Sequence, residues 1–159
     1  MELLLYVGIA SIILLISSFF LSTLMRSGIK DQTISEVDQQ GLIALNMVTQ
    51  SIRNAESLIT PTQGQTSATL SLTTDEPGMN PTQVYLSDGA LVMKEGQGDA
   101  LPLTNQRVRV SDLTFSNLGN EGTPGAVHVS YVLTAANPGG SEEYSFTRTF
   151  YASASLRRH

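Results

Sequence analysis

Two apolar segments determine the architecture of this chain: residues 3–25, LLLYVGIASIILLISSFFLSTLM, and residues 34–59, ISEVDQQGLIALNMVTQSIRNAESLI. The first segment has 23 residues, of which 17 are apolar and none is charged. A helix of this length extends about 34 Å, and the hydrocarbon core of a bilayer is about 30 Å thick. Residues 1–25 are therefore predicted to form a transmembrane half of an N-terminal helix.

The apolar pattern continues beyond the first segment as a stripe on one side of a helix. Spacings of three and four residues place its members on one helical face: Ile34, Val37, Gly41, Ala44, Leu45, Val48, Ile52, Ala55 and Ile59. No proline precedes Pro61, and a glycine such as Gly28 costs only about 1 kcal/mol relative to alanine. We expect one helix from about residue 2 to about residue 58, in which residues 26–59 form an amphipathic half.

Residues 60–159 change to a period of two and are predicted to form an antiparallel β-sheet domain. Two loops are predicted, at Thr60–Ser67 and Gly96–Pro102. The predicted strands are Ala68–Thr74, Thr82–Ser87, Ala90–Glu95, Arg107–Ser116, Ala126–Ala135 and Glu143–Ser155. Turn residues cluster at Gly119–Gly125 and at Asn137–Gly140. The expected fold class is α+β, with the long N-terminal helix packed on an antiparallel sheet.

Two local features specify how the strands pair. Asp88-Gly89 is a strong signal for a two-residue hairpin turn, and it pairs Leu86 with Leu91, Val84 with Met93 and Tyr85 with Val92. The apolar phase slips at Ser111-Asp112, which predicts a bulge or a bend in that strand.

The helix stripe is the only amphipathic helical face available to cover the sheet. We expect Val37, Leu45, Val48 and Ile52 to be buried against Leu86, Leu91, Val110, Phe115, Val129 and Phe146. Tyr144, Phe146 and Phe150 share one parity in the last strand, and Arg148 shares it with them. We interpret Arg148 as displaced by a bulge or extended to solvent rather than as a buried functional charge.

The amino-acid composition and the missing motifs exclude several classes of function. The net charge of −5 gives no basis for binding nucleic acid phosphates. The chain has no cysteine, which excludes disulfides, thiolate metal sites and cysteine nucleophiles. It also shows no phosphate-binding glycine loop, paired-carboxylate motif or HExxH sequence. We therefore expect no enzyme activity, no catalytic residue, no cofactor and no metal.

Three remaining candidates have an ordinary structural interpretation. His128 points away from the apolar face of its strand and is interpreted as an exposed strand residue rather than a ligand. Oxygen ligands for calcium occur at Asp75, Glu76 and Asn80 in one loop and at Asp99 and Glu121 in two others, but without EF-hand spacing. Glu2 is either a solvated helix start, favoured by the helix dipole, or a recognition charge inside a helix assembly.

The first nine residues, MELLLYVGI, resemble the start of type IV pilin-like proteins, which include pilins and the pseudopilins of type II secretion and DNA-uptake machines. The processed N-termini of that family run Phe, Thr, Leu, any residue, Glu, Leu, Leu and then an apolar helix. Glu2 matches the glutamate. The apolar pattern of the later strands is similar to that of minor pseudopilins: Val108, Val110, Leu113, Phe115, Val127 and Val129.

The resemblance implies that the chain is a structural subunit of a filament. Residues 1–25 of each subunit would then form the core of the filament. The subunit would wait as a single-pass protein in the bacterial cytoplasmic membrane and then join a periplasmic or cell-surface filament. Its partners would be membrane lipid before assembly, and then other subunits through the N-terminal helix. The implied assembly residues are Glu2, Leu3, Leu4, Leu5, Val7 and Gly8.

The family also has a basic leader that ends in glycine before the first three mature residues, and these are missing from this chain. The sequence leaves open whether the precursor starts upstream of Met1, and the resemblance implies prepilin peptidase as the partner of a full-length precursor. That leader holds the N-terminus in the cytoplasm. Arg26 and Lys30 follow the apolar segment and, taken alone, predict the opposite topology.

One rival interpretation is a membrane-anchored β-domain that acts as a receptor or adhesin and forms no filament. It predicts a flexible break near Arg26–Lys30 and gives Glu2 no role. A second rival, an exported enzyme with an uncleaved anchor, needs a catalytic cluster that the sequence does not contain. A signal peptide is disfavoured because the apolar run is too long and is preceded by an acid.

Overall fold

A computed structural model of the chain describes residues 2–120, 125–137, 140 and 145–157, apart from the side chain of Arg26. It contains one long helix, α1 (Glu2–Asn54), and a short 3-10 helix (Pro77–Met79). The strands are β1 (Ser57–Thr60), β2 (Thr66–Ser67), β3 (Leu70–Thr73), β4 (Thr82–Ser87), β5 (Ala90–Glu95), β6 (Ala100–Pro102), β7 (Val108–Asn117), β8 (Ala126–Ala135) and β9 (Thr147–Ser155). The predicted α+β fold is confirmed.

The helix α1 is continuous, with helical backbone through Gly28 and the segment around it. It ends at Asn54, earlier than the predicted end near residue 58. The cause is strand pairing, because the backbone N–H of Glu56 donates to the carbonyl of Thr73 at 2.8 Å and β1 then pairs with β3. Pro61 also disfavours helical backbone at Thr60. The predicted extension of the helix was therefore wrong.

The strands form two antiparallel sheets rather than a single one. The first sheet has the order β1-β3-β4-β5-β6 and the second has the order β2-β7-β8-β9. Three short strands, β1, β2 and β6, occupy segments that were predicted as helix end or loop. They have only two to four residues each, which is too short for an alternating pattern to be visible in the sequence.

The two local predictions of strand geometry are confirmed. β4 and β5 pair with Leu86 opposite Leu91, Val84 opposite Met93 and Tyr85 opposite Val92. The turn has positive φ at Asp88 (51°) and Gly89 (77°), as two-residue turns of this kind require.

In β7 the register shifts between Ser111 and Thr114, and Asp112 has a φ of 51°. The bulge therefore lies where the phase of the apolar residues slips. β8 has the predicted bounds, whereas β9 begins at Thr147 instead of residue 143. Tyr144 and Glu143 lie outside the described residues, as do parts of the turns at 119–125 and 137–140.

The core lies between the C-terminal part of α1 and the two sheets, and β9, β8 and β7 of the second sheet contact the helix. Most members of the predicted core are fully or nearly fully buried: Val37, Val48, Ile52, Leu91, Val110, Phe115 and Val129. Leu45 and Phe146 are half-buried and pack against this cluster. Leu86 was wrongly placed in the core: its side chain is 38% exposed, because burial along β4 decreases towards the hairpin turn.

Candidate functional site

The first half of α1 has no partner within the part of the chain that the structure describes. Every side chain from Glu2 to Met25 is exposed, although 17 of these 24 residues are apolar. This segment is long and apolar enough to cross a membrane. A soluble monomer rarely exposes a contiguous apolar surface of this size, so this half of α1 requires lipid or other protein around it.

The six predicted assembly residues occupy the first two turns of this surface. Leu3 and Leu4 are 77% and 74% exposed, and a Cβ built on Gly8 would meet nothing within 4 Å. At 3.6 residues per turn these residues surround the helix axis, and the structure does not bring them together into a pocket. Glu2 is the only charged residue in the first 25 positions. The arrangement is an apolar cylinder with one carboxylate at its end.

The polar groups within the apolar half are compatible with an apolar environment. The hydroxyl of Ser11 donates to the carbonyl of Val7 at 2.8 Å, and that of Thr23 donates to the carbonyl of Phe19 at 3.0 Å. Such bonds satisfy hydroxyls where water is absent. Ser18 and Ser22 border a shallow groove on the same helix, and small residues spaced by four let a second helix approach closely.

The helix and the second sheet meet at a close contact around Gly41. A Cβ at this position would overlap the ring of Phe150, so only glycine allows the observed approach. The hydroxyl of Tyr131 donates to the carbonyl of Gly41 at 2.7 Å, and its ring stacks on Phe150 with centroids 5.8 Å apart. Burial raises the pKa of the Tyr131 phenol, which keeps the hydroxyl protonated as a donor.

Polar contacts hold α1 on one flank through β9. Arg148 Nη1 lies 2.5 Å from Asp38 Oδ2, and the guanidinium lies 5.8 Å from the centroid of the Phe150 ring. The Arg148 side chain is 53% exposed and pairs in regular register opposite Leu133. Of the two predicted explanations, extension to solvent is therefore correct and a bulge is not.

The other flank of α1 contacts the loop before β7. Asn105 Nδ2 donates to Glu36 Oε1 at 2.7 Å, and the backbone N–H of Asn105 donates to Gln40 Oε1 at 3.3 Å. Arg107 Nη1 lies 3.7 Å from Glu36 Oε2. Together with the β9 contacts, these bonds fix how the second half of α1 is seated on the sheets.

The remaining candidates are placed as follows. His128 Nδ1 lies 3.0 Å from the Ser153 hydroxyl on the outer face of the second sheet, and the ring is half-buried. Asn80 uses its amide to bond the backbone of Thr74, at 2.6 and 2.8 Å, so it closes its own loop. Glu121 lies outside the described residues. Among the residues that the structure describes, no group of three or more His, Asp or Glu side chains is placed to hold a metal.

Two features were not predicted from the sequence. One is the contact of Gly41 with Phe150 and Tyr131, for which the available signal was a glycine within an otherwise larger apolar stripe. The other is a cleft of about 490 Å³ at the C-terminal end of α1, bordered by the apolar side chains of Met47, Met93, Leu101 and Leu103. It depends on the position of the short strand β6, which no sequence pattern indicated. No family model, curated protein or solved structure matches this chain.

Proposed function

We propose that this chain is a structural subunit, a pilin or pseudopilin, of a type IV pilus-like filament. The subunit is held in the bacterial cytoplasmic membrane by the first half of α1 and enters a periplasmic or cell-surface filament through the same half. Its partners are other pilin-like subunits, with membrane lipid as the environment before assembly and prepilin peptidase acting on the precursor. We propose no enzymatic activity.

One observation carries the proposal. The helix α1 runs without a break from an apolar half that has no partner within the described chain to a half that is part of the domain core. A receptor on an anchor has no need for this continuity, and the rival model predicts a break near Arg26–Lys30, where the backbone is helical. A filament subunit needs it, because the helix must carry the sheets in a defined position relative to the packed bundle.

The energetics of such an assembly follow from the surface of the helix. When residues 3–25 leave the membrane for a helix bundle, apolar side chains exchange lipid neighbours for protein neighbours, so little hydrophobic stabilisation is lost. Specificity must come from close packing and from polar groups. Glu2 is the only carboxylate within this half and would pair with a cation, the N-terminal amine of a neighbouring subunit. Removing one partner of a buried ion pair costs about 3–5 kcal/mol.

The test is Glu2→Ala in the protein expressed from its own locus, so that any preceding segment is present. Filaments are sheared from cells and separated from membranes, and the ratio of filament to membrane signal is measured for each variant. We expect this ratio to fall at least tenfold for Glu2→Ala, since the neighbour's amine loses its partner, while the membrane level is maintained or increased because a charge has left the apolar run.

Asp31→Ala is the matched control. Asp31 is an exposed carboxylate on the same helix, beyond the apolar half, so its removal should leave the ratio unchanged. Equal ratios for wild type, Glu2→Ala and Asp31→Ala would contradict an assembly role for Glu2. Absence of the wild-type chain from the filament fraction, with normal membrane levels, would favour the receptor or adhesin instead.

A further inference from the structure

Very little chain separates the apolar half of α1 from the sheet domain. The apolar run ends at Met25, and Ile29 already borders a cleft whose opposite side is formed by the domain. At 1.5 Å per residue the interval between these two residues is about 6 Å along the helix axis. The headgroup layer on each side of a bilayer is about 5–8 Å thick. When the apolar run spans the hydrocarbon core, this edge of the domain therefore lies at the level of the lipid headgroups.

The cleft at this edge has a volume of about 340 Å³ and lies between α1 and the end of β8. Ile29 of α1 and Ala135 of β8 supply apolar wall, and Gln32, Glu36 and Arg107 supply polar groups. Sites for small ligands have volumes of about 300–1,000 Å³ and combine apolar walls with a few polar groups in this way. The cleft is therefore large enough for a polar lipid headgroup, and it lies where headgroups are found.

Two opposite charges lie close together in this cleft. Arg107 Nη1 is 3.7 Å from Glu36 Oε2, which is longer than a hydrogen bond. The Arg107 side chain is 79% exposed, so its N–H donors can reach a ligand. Glu36 Oε1 accepts a hydrogen bond from Asn105 Nδ2 at 2.7 Å, which orients the carboxylate, and each carboxylate oxygen can accept a further bond. The pair can therefore receive a ligand that carries both charges.

We propose that this cleft binds the headgroup of phosphatidylethanolamine from the bilayer that holds α1. The phosphate accepts hydrogen bonds from Arg107, and the primary ammonium donates to Glu36. An ethylene chain joins phosphate and ammonium in this lipid, so a site for it needs a cation and a carboxylate side by side, as they are here. The inference rests on the membrane-held half of α1 in the proposed function, and a membrane-anchored receptor would have the same cleft.

The hydrogen bonds also distinguish this lipid from other phospholipids. Phosphatidylcholine has the same phosphate, but its quaternary ammonium has no N–H group to donate to Glu36. Phosphatidylglycerol has hydroxyls in place of the cation, so the carboxylate receives only neutral donors. Charge-assisted hydrogen bonds are roughly twice as strong as neutral ones. Phosphatidylethanolamine is therefore preferred over both.

The experiment uses the full chain in micelles of lauryldimethylamine oxide, whose headgroup has no phosphate. The dioleoyl forms of the three lipids are added one at a time, and native mass spectrometry measures the fraction of protein with bound lipid at each concentration. We expect the apparent Kd for phosphatidylethanolamine to be at least fivefold lower than for the other two lipids. Arg107→Ala should raise it at least fivefold, because the phosphate loses its donor. Glu36→Gln keeps an acceptor for Asn105 but no charge, and should raise it to the value for phosphatidylcholine.

Arg53→Ala and Asp31→Asn are the matched controls. Arg53 is exposed near the other end of α1, about 36 Å from Ile29 along the axis, and Asp31 is exposed and turned by about 140° from Glu36 around it. Both variants should keep the lipid preference of the wild type. Thermal unfolding of each variant establishes that the domain remains folded.

Three results would overturn the proposal: equal binding of the three lipids by the wild type, an unchanged lipid preference in Glu36→Gln, or unchanged binding of phosphatidylethanolamine in Arg107→Ala. The comparison of lipids on the wild type needs no variant, so it decides even if a substitution unfolds the domain. Filament incorporation is measured on sheared fractions and not on lipid binding. A wild-type chain that prefers phosphatidylethanolamine but is absent from filaments would support the cleft and contradict the filament subunit, so the two proposals fail separately.

Discussion

From Glu2 to Met25 the helix α1 is exposed on every side, whereas from Val37 to Ile52 its apolar stripe is covered by the sheets. Both halves are rich in apolar residues, and both have the same backbone conformation. The halves differ in how the apolar residues are distributed around the helix axis. Apolar residues on one side can be buried by one partner, whereas apolar residues on all sides cannot. A single helix can thus serve the domain core at one end and an external partner at the other.

The largest change in the free energy of unfolding is expected when a buried side chain of α1 is shortened. The same substitution at an exposed position of the first half serves as its comparison. Ile52→Ala removes a fully buried side chain and should lower the free energy of unfolding by about 2–5 kcal/mol. Leu14→Ala removes an exposed side chain of the first half and should change it by less than about 0.5 kcal/mol. Both are measured on the full chain in micelles by urea unfolding followed by circular dichroism. Similar losses for the two variants would contradict the division of α1.

Two of the three glycines within α1, Gly28 and Gly41, test the difference between its exposed and its buried side chains. Gly41→Ala places a Cβ against the Phe150 ring and should destabilise the domain by about 1–3 kcal/mol through overpacking. Gly28→Ala meets open space and should be neutral or stabilising by up to about 1 kcal/mol, because alanine is the better helix former. Thermal unfolding of the two variants tests this, and a stabilising Gly41→Ala would show that the close approach of helix and sheet is not required.

Tyr131→Phe should cost about 1 kcal/mol, since the carbonyl of Gly41 loses its donor. Because the folded-state pKa of Tyr131 is raised above the ordinary value of 10.0, its contribution is fully present below pH 10. It is lost as the pH rises further, since the unfolded chain then releases a proton that the folded chain retains.

Unfolding free energies between pH 8 and pH 11 measure this effect. The decline above pH 10 should be less steep in Tyr131→Phe than in wild type. Identical slopes for the two proteins would contradict the burial of an uncharged phenol against α1.

The smallest effect is expected for the ion pair between Asp38 and Arg148. Their side chains are 30% and 53% exposed, so Asp38→Asn should cost only about 0.2–1 kcal/mol and less at high salt. Arg107→Ala is a control with a longer contact of 3.7 Å and a side chain that is 79% exposed, and it should cost less still. Unfolding free energies at 0.05 M and 1 M NaCl distinguish a contribution of charge from one of packing. A loss of stability in Asp38→Asn that is the same at both salt concentrations would point to the contact of Arg148 with Phe150.

Features encoded by neighbouring residues could be predicted from the sequence. The unbroken helix, the hairpin at Asp88-Gly89 and the bulge at Ser111-Asp112 each depend on a pattern within a few residues. The predicted pairing of Leu86 with Leu91 was correct for this reason, although the predicted burial of Leu86 was not. Pairing is set by the turn, whereas burial depends on how far other elements extend over the sheet.

Features that depend on contacts distant in sequence could not be predicted. The division into two sheets depends on such contacts, since β2 pairs with β7 with Thr66 opposite Ser116. The strands β1 and β6 pair with nearby strands but are too short to show an alternating pattern, and α1 ends at Asn54 because the backbone of Glu56 bonds to Thr73. The contact of Gly41 with Tyr131 joins residues 90 positions apart. The roles of the assembly residues at the N-terminus rest on a family resemblance, and they stay predictions until filaments are measured.

The helix α1 is continuous, and it is held at Asp38 by β9 and at Glu36 by the loop before β7. Its rotation about its own axis is therefore fixed relative to the sheets. The direction in which Glu2 projects around the helix axis is tied to the direction in which the sheets face. Each residue of an α-helix turns it by about 100° and advances it by about 1.5 Å. One residue inserted between Ser27 and Ile34 would therefore swing the whole apolar half by more than a quarter turn while lengthening it by less than the diameter of an atom.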